Sequence, residues 1–137
     1  MVLNGVNLGR LGIREPEVYG SVTHEQLGEH LISTGADLDL VVDFRQTDSE
    51  AEMISWLHEA ADCGAAVVIN PGAWSHYSYA IADAAREVGF LIEVHISNIH
   101  AREEFRHHSV ISSVARSVIV GLGLAGYDVA LTYISAH

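Results

Sequence analysis

Residues 93–109, EVHISNIHAREEFRHHS, carry four histidines and two arginines in a chain of 137 residues with 18 acids, only 7 bases and a formal net charge of −11. Gathering scarce protonatable chemistry in one stretch serves a metal, a salt-bridged surface helix, or an anion that also needs a proton. The metal reading is weak. The stretch has neither an HExxH nor a Cys/His pattern, and two arginines repel a cation. Read as a short helix, HAREEFRH puts Arg102 and Arg106 at i and i+4 on one face, where like charges are unfavourable unless an anion answers them. Glu103 with His107, and Glu104 with His108, then pair on other faces as surface support, and His100 stays open. An anion pocket fits best. Glu93 lies two residues before His95 on the same strand face, so its carboxylate can orient the imidazole and keep it protonated.

A second stretch, GRLGIREPEVYG at residues 9–20, is long for a strand-to-helix connection, which usually takes about 2–6 residues. Gly9 and Gly12 give it hinges, and it carries Arg10, Arg14 and Tyr19. Two readings stand side by side: a surface loop with solvated arginines, or a lid that brings a cation and a phenol over a crevice. A tyrosine acts as a base only if its pKa falls from about 10 toward neutrality, at a cost of about 3–4 kcal/mol. A guanidinium within ~4–6 Å in a dry site supplies much of that, and Arg14 is the candidate.

Composition narrows the function classes. All 7 bases are arginine. With no lysine, no side-chain amine forms a Schiff base, so carbonyl chemistry runs through acid–base steps and an enol or enolate. The acidic balance argues against nucleic acid, which needs a basic footprint. The chain is 49% apolar with a mean hydropathy of +0.21. No apolar run approaches the ~18 residues of a membrane span. The excess apolar surface is therefore expected between subunits rather than in lipid. The start, MVLNGVNLGRLG, lacks the pattern of a signal peptide, and a cytoplasmic location is expected. Cys63 is the sole cysteine, which forbids an intrachain disulfide and reads as a small buried hydrophobe at a helix end.

These groups must be positioned by an alternation of strands and helices in one domain, residues 1–137. MVLN, LDLVVDFRQ, AAVVIN, FLIEVHIS and SVIVGL read as strands. THEQLGEHLISTGA reads as a helix with Thr23 as N-cap and Gln26 completing a capping box. DSEAEMISWLHEAADCG is an amphipathic helix ended by Gly64, with apolar positions at Met53, Ile54, Leu57, Ala60 and Ala61. SHYSYAIADAAREVG and AGYDVALTYISAH complete the set. The pattern predicts an α/β fold, a flavodoxin-like three-layer sandwich with a five-stranded parallel sheet in order 2-1-3-4-5. Ligands then bind beyond the carboxyl ends of the strands, where the order reverses between strands one and three. Asn7, Asn70, His76 and His95 fall there. Each alone suits a loop or core role, but their convergence points to a site.

The blocks NGVNLGRLGIREPEVYG, FRQTDSEAEMISWLHEA, VINPGAWSHYSYAIADA and EVHISNIHAREEFRHHS together resemble the type II 3-dehydroquinate dehydratases of the shikimate pathway, over essentially the whole chain. The resemblance implies anti elimination of water from 3-dehydroquinate through an enolate, giving 3-dehydroshikimate without metal, cofactor or imine. It implies Tyr19 as phenolate base, Arg14 as the lid arginine that keeps it ionised, Asn7 as an enolate stabiliser, and His95 as the acid for the departing hydroxyl, oriented by Glu93. It implies that Asn70 binds near that hydroxyl and the carboxylate, which the amides of Ile96 and Ser97 cradle. His76 and Arg106 match contacts to ring hydroxyls, and Arg102 a second lid-side arginine. Asp83 matches an aspartate reaching into a neighbouring subunit's site, in a dodecamer of four trimers.

Three departures stand out. NGVN replaces the family's NGPN, Ala82 replaces an arginine before Asp83, and HHSVISS replaces HHSYLSP. The first departure bears on lid geometry, the second on the trimer contact. Other classes remain as alternatives. A flavodoxin-like nucleotide- or flavin-binding module wants a phosphate loop after strand one, which NGVNLGRLG fits poorly. A phosphoacceptor receiver domain wants an aspartate where Asn70 stands. A catalytically inactive relative retained for assembly is the third.

Overall fold

The computed structural model describes residues 1–13 and 21–137. Its sheet has five strands: β1 (Val2–Asn4), β2 (Phe44–Gln46), β3 (Val67–Asn70), β4 (Leu91–His95) and β5 (Ser117–Val120). The order is β2-β1-β3-β4-β5, and every pairing is parallel. This is the predicted topology. β3 and β4 are buried along their whole length, as central strands are, and the apolar run ahead of Asn70 in β3 fits its place.

Four α-helices cover the sheet among the described residues: α1 (His24–Asp37), α2 (Glu50–Cys63), α3 (Tyr79–Ala85) and α4 (Ala125–Ser135). The capping box of α1 is formed in both directions, Gln26 N–H donating to Thr23 Oγ1 at 3.2 Å and Thr23 N–H to Gln26 Oε1 at 3.0 Å. Gly64 ends α2 in the left-handed conformation, φ 69°.

Strand alternation sends successive residues to opposite layers. Leu3, Ile69 and Leu91 pack with Met53 and Leu57 of α2 and Ile81 of α3. Val2, Val68, Ile92 and Val94 pack with Leu27 and Leu31 of α1 and with Tyr127 and Leu131 of α4. By the same rule Glu93 and His95 point into the first layer, while Asn4 and Asn70, which are in register on neighbouring strands, point into the second.

Several expectations need correction. Of LDLVVDFRQ only Phe44–Gln46 pairs. β1 offers just three residues as partner, and Val41 ahead of the strand is 99% exposed. The third predicted helix is divided: Gly72–His76 is a 3-10 turn, and α3 begins after Ser78, whose hydroxyl accepts from Ile81 N–H at 3.2 Å. Cys63 ends α2 as expected but is exposed, because it sits to the side of the buried stripe formed by Met53, Leu57 and Ala60. Ala82 is buried in the first layer of the core, so this departure from the family pattern packs inside the chain. No helix among the described residues is long and apolar enough to cross a membrane.

Candidate active site

Beyond the carboxyl ends of β1, β3 and β4 lies a cleft of about 130 Å³. Its walls come from the segment after β1 (Val6, Asn7, Leu8, Arg10, Leu11), the turn after β3 (Asn70, Gly72, Ala73, His76) and the segment after β4 (His95, Ile96, Ser97, Ile99, Arg102, Arg106). Three arginines and two histidines line it, and no carboxylate does so among the described residues. In a chain of net charge −11 this is a focused cationic pocket, the electrostatics of an anion site.

His95 is held most firmly. Its Nε2 meets Glu93 Oε1 at 2.7 Å, and both side chains are buried. That bond occupies Nε2 and leaves Nδ1 as the nitrogen available to the cleft. Glu93 is 0% exposed and takes two further donors, Ser109 Oγ on Oε1 at 2.5 Å and Ser112 Oγ on Oε2. Burial alone would raise the pKa of Glu93. The hydrogen bond and charge of His95 and the two serine hydroxyls outweigh it and hold the carboxyl below its ordinary value. Ser109 and Ser112 thus belong to the site's support, a role that their positions 16 and 19 residues from Glu93 do not announce.

A carboxyl with a depressed folded-state pKa adds stability above its unfolded pKa, about 4.3, and loses it as pH falls from there through the folded value. Glu93→Gln removes that dependence. Denaturant midpoints measured from pH 6 down to pH 3 should therefore fall more steeply for the wild type than for the variant.

His76 is fixed by an Nδ1–H bond to the His108 carbonyl at 2.9 Å. A carbonyl only accepts, so Nδ1 carries the hydrogen and a neutral ring presents Nε2 as an acceptor. Burial lowers the His76 pKa, opposed by the bond to His108, and the charges of Arg106 and His95 lower it further. Asn7 sits at φ 69°, the left-handed region that asparagine tolerates. Its backbone N–H is anchored on Asp48 Oδ1 at 2.8 Å. Gly72, also left-handed at φ 60°, brings its Cα so near Val6 that an added Cβ would lie 2.8 Å from the Val6 carbonyl. The turns after β1 and β3 therefore close on one another to form one wall.

The arginine segment differs from the predicted helix. Ile99–Ala101 and Glu104–Arg106 are separate 3-10 turns, divided at Arg102, which is extended at φ −107°, ψ −162°. Asn98 caps the first turn by accepting from His100 N–H at 3.1 Å. Arg102 and Arg106 still meet at the cleft, by the path of the loop rather than by helical spacing. The expected Glu103–His107 and Glu104–His108 pairs are not what the segment forms. Glu103 Oε2 instead takes Arg106 Nε at 2.9 Å, His107 bonds the Arg102 carbonyl at 2.9 Å, and the His108 carbonyl serves His76.

Asn7, Asn70, His76, His95, Ile96, Ser97, Arg102 and Arg106 thus share one cleft. Asp83 does not line it. It stands exposed on α3 beside Arg86 at 3.4 Å. Arg14 and Tyr19 lie outside the described residues. The residues flanking them are described: Leu11 lines the cleft, and an added Cβ on Gly12, at φ 81°, would lie 2.8 Å from the Val22 carbonyl and 3.0 Å from that of Ser21. The described residues flanking that segment, Gly12 and Ser21–Val22, therefore approach one another next to Leu11. Among the described residues no group of three histidine, cysteine or acidic side chains could hold a metal ion.

Comparison with known proteins agrees over the full length. The family model for dehydroquinase class II matches residues 1–135. A protein of Salinispora tropica named 3-dehydroquinate dehydratase is 61% identical, over 99% of this chain and 96% of its own. The crystal structure of type II dehydroquinase from Propionibacterium acnes superposes with a TM-score of 0.98 at 58% identity, covering 99% of this chain and 94% of that one. That from Butyrivibrio crossotus gives 0.94 at 43% identity, covering 99% and 95%. With the family model spanning nearly every residue and the sheet order reproduced, the chain belongs to the class II dehydroquinase family.

Proposed function

We propose that the chain dehydrates 3-dehydroquinate to 3-dehydroshikimate by anti elimination through an enolate, using side-chain acid–base chemistry alone. The observation that carries this reading is the cationic cleft around the buried His95–Glu93 pair. The substrate is an anionic ring, and the positive charge of the cleft suits it.

In the proposed sequence the Tyr19 phenolate removes a proton alpha to the ketone, with Arg14 keeping the phenol ionised. Asn7 stabilises the enolate oxygen. The enolate collapses, the carbon–oxygen bond of the ring hydroxyl breaks, and His95 gives that oxygen a proton so that it leaves as water. Glu93 stabilises the imidazolium beforehand. Asn70 and the amides of Ile96 and Ser97 hold the departing group and the carboxylate. His76 accepts from a ring hydroxyl and Arg106 donates to one, while Arg102 acts from the lid side.

The active assembly is proposed to be a cytoplasmic homo-dodecamer of four trimers, with Asp83 reaching a neighbour's site. Its exposure on α3, away from the chain's own cleft, supports that role, as do the exposed rings of Tyr77, Tyr79 and Phe105.

Purified protein mixed with 3-dehydroquinate should generate the ultraviolet band of a conjugated enone, at a rate unchanged by prior chelation. Absence of the band would overturn the assignment. Loss of the rate on chelation would return the histidines to the metal reading.

A further inference from the structure

A buried polar chain enters the cleft wall from the side opposite His95. Asn4 and Asn70 end neighbouring strands in register, and both point into the layer covered by α4. Tyr127 of α4 joins them. Its hydroxyl donates to Asn4 Oδ1 at 2.6 Å and accepts from Asn70 Nδ2 at 2.9 Å. Asn4 Nδ2 meets His24 Nε2 at 3.3 Å, and Gly72 N–H donates to Asn70 Oδ1 at 3.2 Å. Tyr127 and Asn4 are each 0% exposed.

The donors and acceptors fit in only one sense. Asn4 turns its amine to an acceptor on His24, and burial lowers the His24 pKa in favour of the neutral ring. Asn4 Oδ1 therefore faces Tyr127 and takes its single hydroxyl hydrogen. The tyrosine oxygen is left as an acceptor, so it wants the Asn70 amine. A flipped Asn70 would set its carbonyl against that oxygen and its amine against Gly72 N–H, losing both bonds. Among the described residues the second Nδ2–H has no partner, and Asn70 lines the cleft.

We propose that Tyr127 is a positioning residue for the elimination: through its hydroxyl, itself set by Asn4, it locks the Asn70 amide so that the cleft meets a fixed N–H donor. This rests on the dehydratase reading. A donor fixed before the substrate arrives needs no reorganisation during the reaction.

The test is a double-mutant cycle on the whole protein with 3-dehydroquinate, using Tyr127→Phe and Asn70→Ala. Tyr127→Phe is expected to lower kcat/KM about tenfold. The double variant should match Asn70→Ala within about twofold, because a group acting through Asn70 has nothing left to act on. Losses that multiply, or a folded Tyr127→Phe within twofold of wild type, overturn the inference. Tyr127→Phe also leaves Asn4 unsatisfied and can fail to fold. Asn4→Val/Tyr127→Phe removes both partners, and is expected to fold while kcat/KM stays low. Recovery of wild-type kcat/KM, or failure of both variants to fold, assigns the network to structure alone and overturns the inference. Slow hydrogen exchange of the Asn70 side-chain amide in the wild type, faster in the variant, reads the lock without substrate. An inactive wild type with a protected amide would therefore sink the dehydratase reading and spare the lock, while an unprotected amide sinks the lock.

Discussion

Tyr19→Phe is expected to lower kcat on 3-dehydroquinate by about 10³-fold or more, with KM within about threefold of wild type. The proton alpha to a ketone is removed by a base, and the lysine-free composition leaves no imine route to acidify it. Removing one oxygen abolishes the phenolate and little else, so the loss falls on kcat. The described residues on either side of that segment bear on the expectation: Gly12 approaches the carbonyls of Ser21 and Val22, and Leu11 lines the same cleft as His95. Steady-state rates at saturating substrate give the check. A variant with wild-type kcat would end the base assignment.

His95→Gln carries the second large effect. The wild-type imidazole sits with Nε2 on Glu93 at 2.7 Å, and Glu93 is anchored by Ser109 and Ser112. The proposed acid is thus held rigidly, with a buried carboxylate beside it. Without it the hydroxyl leaves as an unassisted anion, and kcat should fall about 10²–10⁴-fold. The enolate-forming step should survive, because the proposed base is Tyr19. Rates over a range of substrate concentrations separate this from a binding defect, which would raise KM with kcat intact.

The layout of the fold was legible because its signals are local. AAVVIN is a nearly continuous apolar run, as a central parallel strand is. Thr23 with Gln26 and the glycine at 64 fixed the ends of α1 and α2. The convergence of Asn7, Asn70, His76 and His95 followed from strand order alone.

What was illegible depends on partners far away in the chain. HAREEFRH has good helix formers at its centre in Ala101, Arg102, Glu103 and Glu104, yet the Asn98 cap and extended Arg102 split it into two turns. The partners of Glu93 at Ser109 and Ser112 look like ordinary turn serines. Tyr127 reads as one ring in an apolar helix, and its bond to Asn4 spans 123 positions. The alternation in LDLVVDFRQ was real but outran the three residues of β1 available to pair with it.

The division of labour between the two residues can be read without waiting for turnover. Incubating 3-dehydroquinate in deuterated water and following its alpha protons by nuclear magnetic resonance reports enolate formation by itself. Deuterium should enter the substrate faster than in the protein-free control with His95→Gln, and no faster than the control with Tyr19→Phe. Exchange that persists in Tyr19→Phe, or vanishes in His95→Gln, would contradict a base at 19 and an acid at 95 acting on one ring.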